Sequence, residues 1–199
     1  MPDYLNEDHF SVGSALTFPN VQSCMAVIAT STLHQGMAGF HATLLTTADE
    51  FMSVGRRMTG MLGGRIDRLF LVGNVAKRSV ADAGDPRTVF GAPLRSTLRE
   101  AFGYRGRITY EDTDAYRRSA AGSGVAVRTS RGAANNQLRI VYALPGAWNT
   151  GAGVPCSQFQ FRVQSGNGAV RILPPRAVLH VECAMTAVTE LNLAKLKHL

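Results

Sequence analysis

With 199 residues, 45% of them hydrophobic and 18% charged, the chain has the length for one domain with a substantial core, and its composition is not that of a disordered segment. Lys and Arg number 21 against 14 Asp and Glu, a net charge of +7 that allows an acidic protein partner, an anionic membrane surface or nucleic acid. The arginines are scattered, with no dense basic run, zinc-finger spacing or RNA-binding aromatic signature, which disfavours nucleic acid as a partner.

No apolar run approaches the roughly 18 residues that a membrane span needs. The acidic start, Met1 to Asp8, lacks the apolar core of a signal peptide. The expectation is a bacterial cytoplasmic protein, or one carried by a specialised secretion route that uses no cleaved signal.

In chain order, residues 1–15 read as a loose lead-in. Strand signals follow at 25–29 and 37–45, separated by the polar turn Thr30-Ser31-Thr32-Leu33-His34-Gln35. Thr47-Ala48-Asp49-Glu50 has the form of a capping box, opening a helix that places Phe51, Val54, Met58 and Met61 on one face and stops at Gly63-Gly64. Leu69 to Val72 reads as a strand buried on both faces. The polar stretch 77–88 reads as a loop. A second helix starts near Pro93, aligns Leu94, Leu98, Ala101 and Phe102, and ends at Gly103.

Ile108 to Tyr110 starts a strand that ends at the acidic Glu111-Asp112-Thr113-Asp114. After a small-residue connector at 120–124, the runs 125–129 and 138–144 form a hairpin. A Gly-rich stretch, 146–153, holds the only tryptophan, Trp148. Strands are expected near 158–163, 169–173 and 177–183, then a terminal helix near 187–198. The elements predict a mixed α/β (α+β) fold. Residues 1–145 form the core, and 146–199 form a β-rich extension with a terminal helix, packed on the same domain as an extra layer or a partner-binding element.

Cys24 opens the first apolar run and His41 closes the second. If these runs pair as a hairpin, thiol and imidazole lie side by side at one sheet edge. A lone Cys before an apolar run is commonly a small buried hydrophobe, and a lone His is commonly structural. Paired, however, they are the minimal machinery of a cysteine amidase. The imidazole removes the thiol proton, the thiolate attacks a carbonyl carbon, and the imidazolium protonates the departing ammonia. Backbone amides at and just before Cys24 are candidates for the oxyanion hole. His34 competes as the base but falls in the expected turn. Cys156 and Cys183 form no metal or CxxC motif and are either a pair or two buried thiols. Gly60-Met61-Leu62-Gly63-Gly64 follows a helix instead of opening one, which fails the context for dinucleotide binding. The chemistry needs no cofactor, and no metal constellation is present in the sequence.

The order Ser23-Cys24-Met25-Ala26-Val27, a turn, then Gly36-Met37-Ala38-Gly39-Phe40-His41 resembles the chemoreceptor glutamine deamidase family, CheD, whose members read roughly Gly-Ser-Cys-Val-Ala-Val, turn, Gly-Gly-Met-Asn-His. The resemblance spans roughly residues 10–145 and is slight outside these two motifs. The glycine before the serine is replaced by Gln22, and the family's His-Phe-Met-Leu-Pro becomes His41-Ala42-Thr43-Leu44-Leu45. The same Cys–His architecture occurs in toxins of the cytotoxic necrotizing factor and Burkholderia lethal factor type. The departures fit such a secreted effector as well as a chemotaxis enzyme.

The resemblance implies a β-sandwich core flanked by helices and a glutamine side chain on a protein as substrate. It implies Cys24 as nucleophile, His41 as base and Thr17, one residue out of register, as the group that orients the imidazole. Asn20 is a second candidate for that last role. Specificity is expected from residues 77–88, the acidic turn 111–114 and the Trp148 stretch. A different Cys–His protease, transglutaminase or small-amide hydrolase is one competing reading. A non-catalytic basic interaction domain is another, in which Cys24 and His41 are far apart or both buried. Sulfur and imidazole nitrogen within about 4 Å are the catalytic expectation.

Overall fold

The alternation along residues 25–30 sends Met25, Val27 and Ala29 to one side and Ala26 and Ile28 to the other, and both sides are buried. A strand covered on both faces must lie inside a layered protein. The computed structural model describes residues 3–75, 94–113, 124–132, 137–143, 148–149, 158–163, 170–176, 182–183 and 188–199.

The elements are β1 (Asp3–Tyr4), β2 (His9–Gly13), β3 (Ala15–Val21), β4 (Met25–Thr30), β5 (Met37–Ala42), α1 (Ala48–Met61), β6 (Arg68–Gly73), α2 (Leu94–Phe102), β7 (Ile108–Asp112), β8 (Val125–Arg131), β9 (Leu138–Ala143), β10 (Trp148–Asn149), β11 (Gln158–Val163), β12 (Val170–Arg176), β13 (Glu182–Cys183), β14 (Thr189–Glu190) and β15 (Lys197–His198). Among the described residues the fold is mixed α+β, mostly strands, with two helices and two large sheets. One sheet runs β1-β3-β8-β9-β14, and the other runs β12-β11-β2-β5-β4-β6-β7-β15. β10 and β13 form a separate antiparallel pair.

Two cores result. One joins the helices to the larger sheet through Phe40, Phe51, Val54, Met58, Leu71, Leu94, Leu98 and Phe102. The other lies between the sheets and holds Leu5, Leu16, Phe18, Ile28, Phe70, Val72, Val127 and Ile140. The sheets approach closely at Gly39, where a β-carbon would stand 2.6 Å from Leu16 and 2.7 Å from Phe18. Gly39 therefore gives room to the side chains of the opposing sheet.

The expected pairings are present. β4 and β5 run antiparallel with Ala26 opposite His41, and β8 pairs β9 as a hairpin. The Thr47–Glu50 capping box forms in both directions, and α1 ends where Gly63 and Gly64 turn left-handed at φ +86°. Gly103, at φ +60°, follows α2. Strand β7 ends at Asp112, within the expected acidic stretch, and pairs in parallel with β6 as far as Gly73.

Two expectations are corrected. Residues 1–15 are not a loose lead-in. β1 joins β3, and β2 pairs with β5, with Phe10 fully buried against the helix-side core. The terminal helix is absent as well. Thr189–Glu190 pairs with β9 at the edge of one sheet, and Lys197–His198 pairs with β7 at the edge of the other. A turn joins them, in which Asn192 accepts from the Lys195 and Ala194 amides through its backbone and side-chain oxygens. Two open sheet edges supply hydrogen-bond partners that a short surface helix could not use. Other strands of the 146–199 segment also join the main sheets, β11 along β2 and β12 beyond it.

Residues 77–88 and 120–123, and Cys156, fall outside the described residues. Among the described residues no helix is long and apolar enough to cross a membrane.

Candidate active site

Cys24 lies where the chain passes from β3 in the smaller sheet to β4 in the larger one. It keeps the ladder register, because its carbonyl accepts from the Asn74 amide just beyond the Met25–Gly73 pair. Side chains alternate along a strand, so Cys24 shares the face of Ala26, which looks into the core between the sheets. His41 is directly opposite Ala26 and shares that face. Continued one residue past Met25, the β4–β5 register puts thiol and imidazole on one sheet face in a diagonal relation.

The imidazole is fully buried and set edge-on to Phe18, ring centroids 6.0 Å apart. Its Nδ1 lies 2.7 Å from the carbonyl oxygen of Leu5. A carbonyl can only accept, so Nδ1 carries the hydrogen, and in the neutral ring Nε2 is the basic nitrogen. The backbone of the same loop is tied down from both sides. The Leu5 amide donates to the Thr17 carbonyl at 2.8 Å, and the Asp8 amide donates to the His41 carbonyl at 2.9 Å.

Thr17 does not supply the orienting group through its side chain. Leu16 and Phe18 point into the inter-sheet core, so Thr17 points to the other face of its sheet, where its hydroxyl accepts from Arg128 Nε at 3.1 Å. Its contribution to the imidazole runs through backbone only, from the Thr17 carbonyl to Leu5 and from the Leu5 carbonyl to the ring. Asn20 is exposed at a bulge in β3, with φ +52°. His34 is exposed, and its Nδ1 accepts from the Gly36 amide at 2.9 Å, which makes it a turn cap.

Two participants were not foreseen from the sequence. Cys24 Sγ donates to Glu7 Oε1 at 3.1 Å, and the thiol is 2% exposed beneath it. Gly73, at φ +151°, presses against the strand start. A β-carbon there would collide with the Cys24 carbonyl oxygen and stand 2.8 Å from Met25 Cα. The turn formers Asn6-Glu7-Asp8 between apolar Leu5 and Phe10 are a visible signal of a reversal. Nothing local connects that reversal to Cys24.

Glu111 and Asp112 belong to β7, whose register with β6 sets Asp112 beside Gly73, close to the Cys24 end of the ladder. An open groove lined by Ser96, Arg99, Glu100, Gly103, Tyr104 and Arg105 lies at the end of α2, on elements that contribute neither Cys24 nor His41. Among the described residues no group of three His, Cys, Asp or Glu side chains is placed to hold a metal ion. No protein-family model matches the chain, and no curated protein matches it.

Proposed function

We propose that the protein is a cysteine-dependent amidohydrolase, a protein-glutamine deamidase in which Cys24 is the nucleophile and His41 the general base. The observation that carries this reading is the pairing of Ala26 with His41, which sets thiol and imidazole on one sheet face, with the ring tautomer chosen by the Leu5 carbonyl. Support also comes from the two motifs that resemble the CheD and cytotoxic necrotizing factor families, and from a two-sheet architecture with helices on one side.

In the proposed reaction His41 Nε2 takes the Cys24 proton and the sulfur adds to the side-chain carbonyl carbon of a glutamine. The imidazolium returns its proton to the nitrogen as the C–N bond breaks and ammonia leaves. Water, deprotonated by the same nitrogen, hydrolyses the thioester to a glutamate.

A second reading is favoured by one observation: Cys24 and His41 are both buried, as an ordinary core pair in a non-catalytic interaction domain would be. The Glu7 carboxyl group seated on the thiol distinguishes this pair from an apolar core cysteine.

The test is incubation of native cell lysates with the wild type and with Cys24→Ser, followed by peptide mass spectrometry. The deamidase produces a gain of about one dalton at a glutamine together with free ammonia, as exchange of an amide for a carboxylate demands. The serine variant produces neither. Peptide-bond cleavage or amine incorporation would move the assignment to another Cys–His enzyme, and equal behaviour of the two proteins would favour the non-catalytic reading.

A further inference from the structure

The loop that ties down His41 also places a glutamate on Cys24. Residues 5–8 cross the site between β1 and β2. The Leu5 carbonyl and the Asp8 amide bond the side chain and backbone of His41. The His9 amide donates to the Asn6 carbonyl at 3.1 Å, closing a tight turn, and the Nδ1 of His9 donates to the Glu7 carbonyl at 2.8 Å. Asp8 takes φ +63°, a left-handed conformation that Asp tolerates better than most residues. Glu7, at the tip, is exposed, yet its Oε1 reaches the buried sulfur at 3.1 Å.

A carboxylate that accepts from the thiol requires the proton to stay on sulfur. Glu7 thus occupies the place where an attacked carbonyl would have to come.

We propose that Glu7 stands in for the reaction product. This rests on the deamidase reading: a glutamine presented on a turn becomes a glutamate on that turn, with a carboxylate oxygen against the regenerated Cys24 thiol. Glu7 on the Asn6–His9 turn presents that same arrangement from within the chain. The substrate class follows from it. The site takes a glutamine at the tip of a tight turn of a partner protein, which displaces the Glu7 side chain while Leu5 and Asp8 keep their bonds to His41, and the resident glutamate holds the site closed until it does.

The proposal has a direct test, because Glu7→Gln turns the mimic into a substrate. Cys24 would add to the new side-chain carbonyl carbon, the C–N bond would break with ammonia leaving protonated by His41, and water would release the thioester. Purified Glu7→Gln protein should then read as glutamate at position 7 by peptide mass spectrometry. The double variants Glu7→Gln/Cys24→Ser and Glu7→Gln/His41→Gln should keep the amide. In Glu7→Ala, iodoacetamide should alkylate Cys24 about tenfold faster or more than in the wild type, since thiol reactivity follows access. That rate should fall when His41→Gln is added.

An amide that persists at position 7 overturns the product mimic. If the alkylation rate in Glu7→Ala still depends on His41, the Cys–His reading stands without it. If the rate is indifferent to His41, that reading falls too.

Discussion

The Nδ1–H of His41 donates to the carbonyl of Leu5 at 2.7 Å, joining β5 of one sheet to the chain segment that follows β1 of the other. This one bond selects the ring tautomer and links the first residues of the chain to the candidate base.

Removing the imidazole therefore does two things that can be separated. His41→Ala leaves a buried carbonyl without its donor, at about 1–3 kcal/mol, so it should lower both activity and the urea midpoint. His41→Gln retains an amide donor and should lose activity with a smaller stability change. Cys24→Ser should lose glutamine turnover by about a thousandfold or more, each member of such a unit being nearly useless alone, while thermal unfolding stays near the wild type. Turnover by Cys24→Ser at the wild-type rate would remove thiol chemistry from the mechanism.

Gly73 has no room for a side chain. In Gly73→Ala the new methyl group meets the Cys24 carbonyl at a φ that other residues rarely adopt. The expected loss is on the order of 1–3 kcal/mol for a strained backbone position, read by chemical denaturation. Because the displaced atom belongs to Cys24, the iodoacetamide rate at that thiol should change as well. A variant as stable as the wild type would mean that β6 can move away from β4 at this point.

The turn between β4 and β5 is held from across the sandwich. Arg131 Nη1 faces the carbonyl oxygens of Ser31, His34 and Gly36 at 2.9, 2.8 and 2.7 Å. Arg131→Met should cost more stability than an exposed arginine does, by about 1–3 kcal/mol for buried acceptors left unsatisfied. Hydrogen exchange should show faster opening of the amides around residues 31–36. Unchanged exchange there would show that the hairpin holds its own turn.

Asp67 gives an acid-dependent term. Hydrogen bonds from the Thr32 amide and hydroxyl, then the adjacent Arg65, hold its carboxyl below the ordinary value of 3.8. A carboxyl depressed in the folded state stabilises above its unfolded pKa and loses that contribution as pH falls through the folded value. The wild type should thus lose stability below about pH 5 more steeply than Asp67→Asn. The difference should be small, since solvent screens an ion pair whose arginine is two-thirds exposed. Identical acid slopes for the two proteins would remove Asp67 from the acid response.

Local chemistry was enough to identify α1, because a capping box, an apolar stripe and two stop glycines act within a few residues of one another. The β4, β5 and β6 strands were legible for a similar reason: uninterrupted apolar runs bounded by turn residues. The pairing of β4 with β5 also followed from sequence, since a hairpin carries its own register once its turn is placed.

Partnerships between distant segments were decided by the tertiary fold. The lead-in became β1 and β2 because two sheets offered unpaired edges and Phe10 had a core to enter. The terminal segment, with apolar residues at 191, 193, 196 and 199, gave up a helix for the opposite edges of the same two sheets, at β9 and β7, where backbone pairing outweighs a weak local preference. Thr17 was the orienting group that the resemblance implied, but alternation along β3 turns its hydroxyl away from the ring, and the packing of Leu5 between the sheets supplies a carbonyl in its place. Glu7 reaches Cys24 by the same route. A contact between a turn in the lead-in and the start of β4 has no period or motif to announce it, and it exists only because the chain crosses from one sheet to the other at that point.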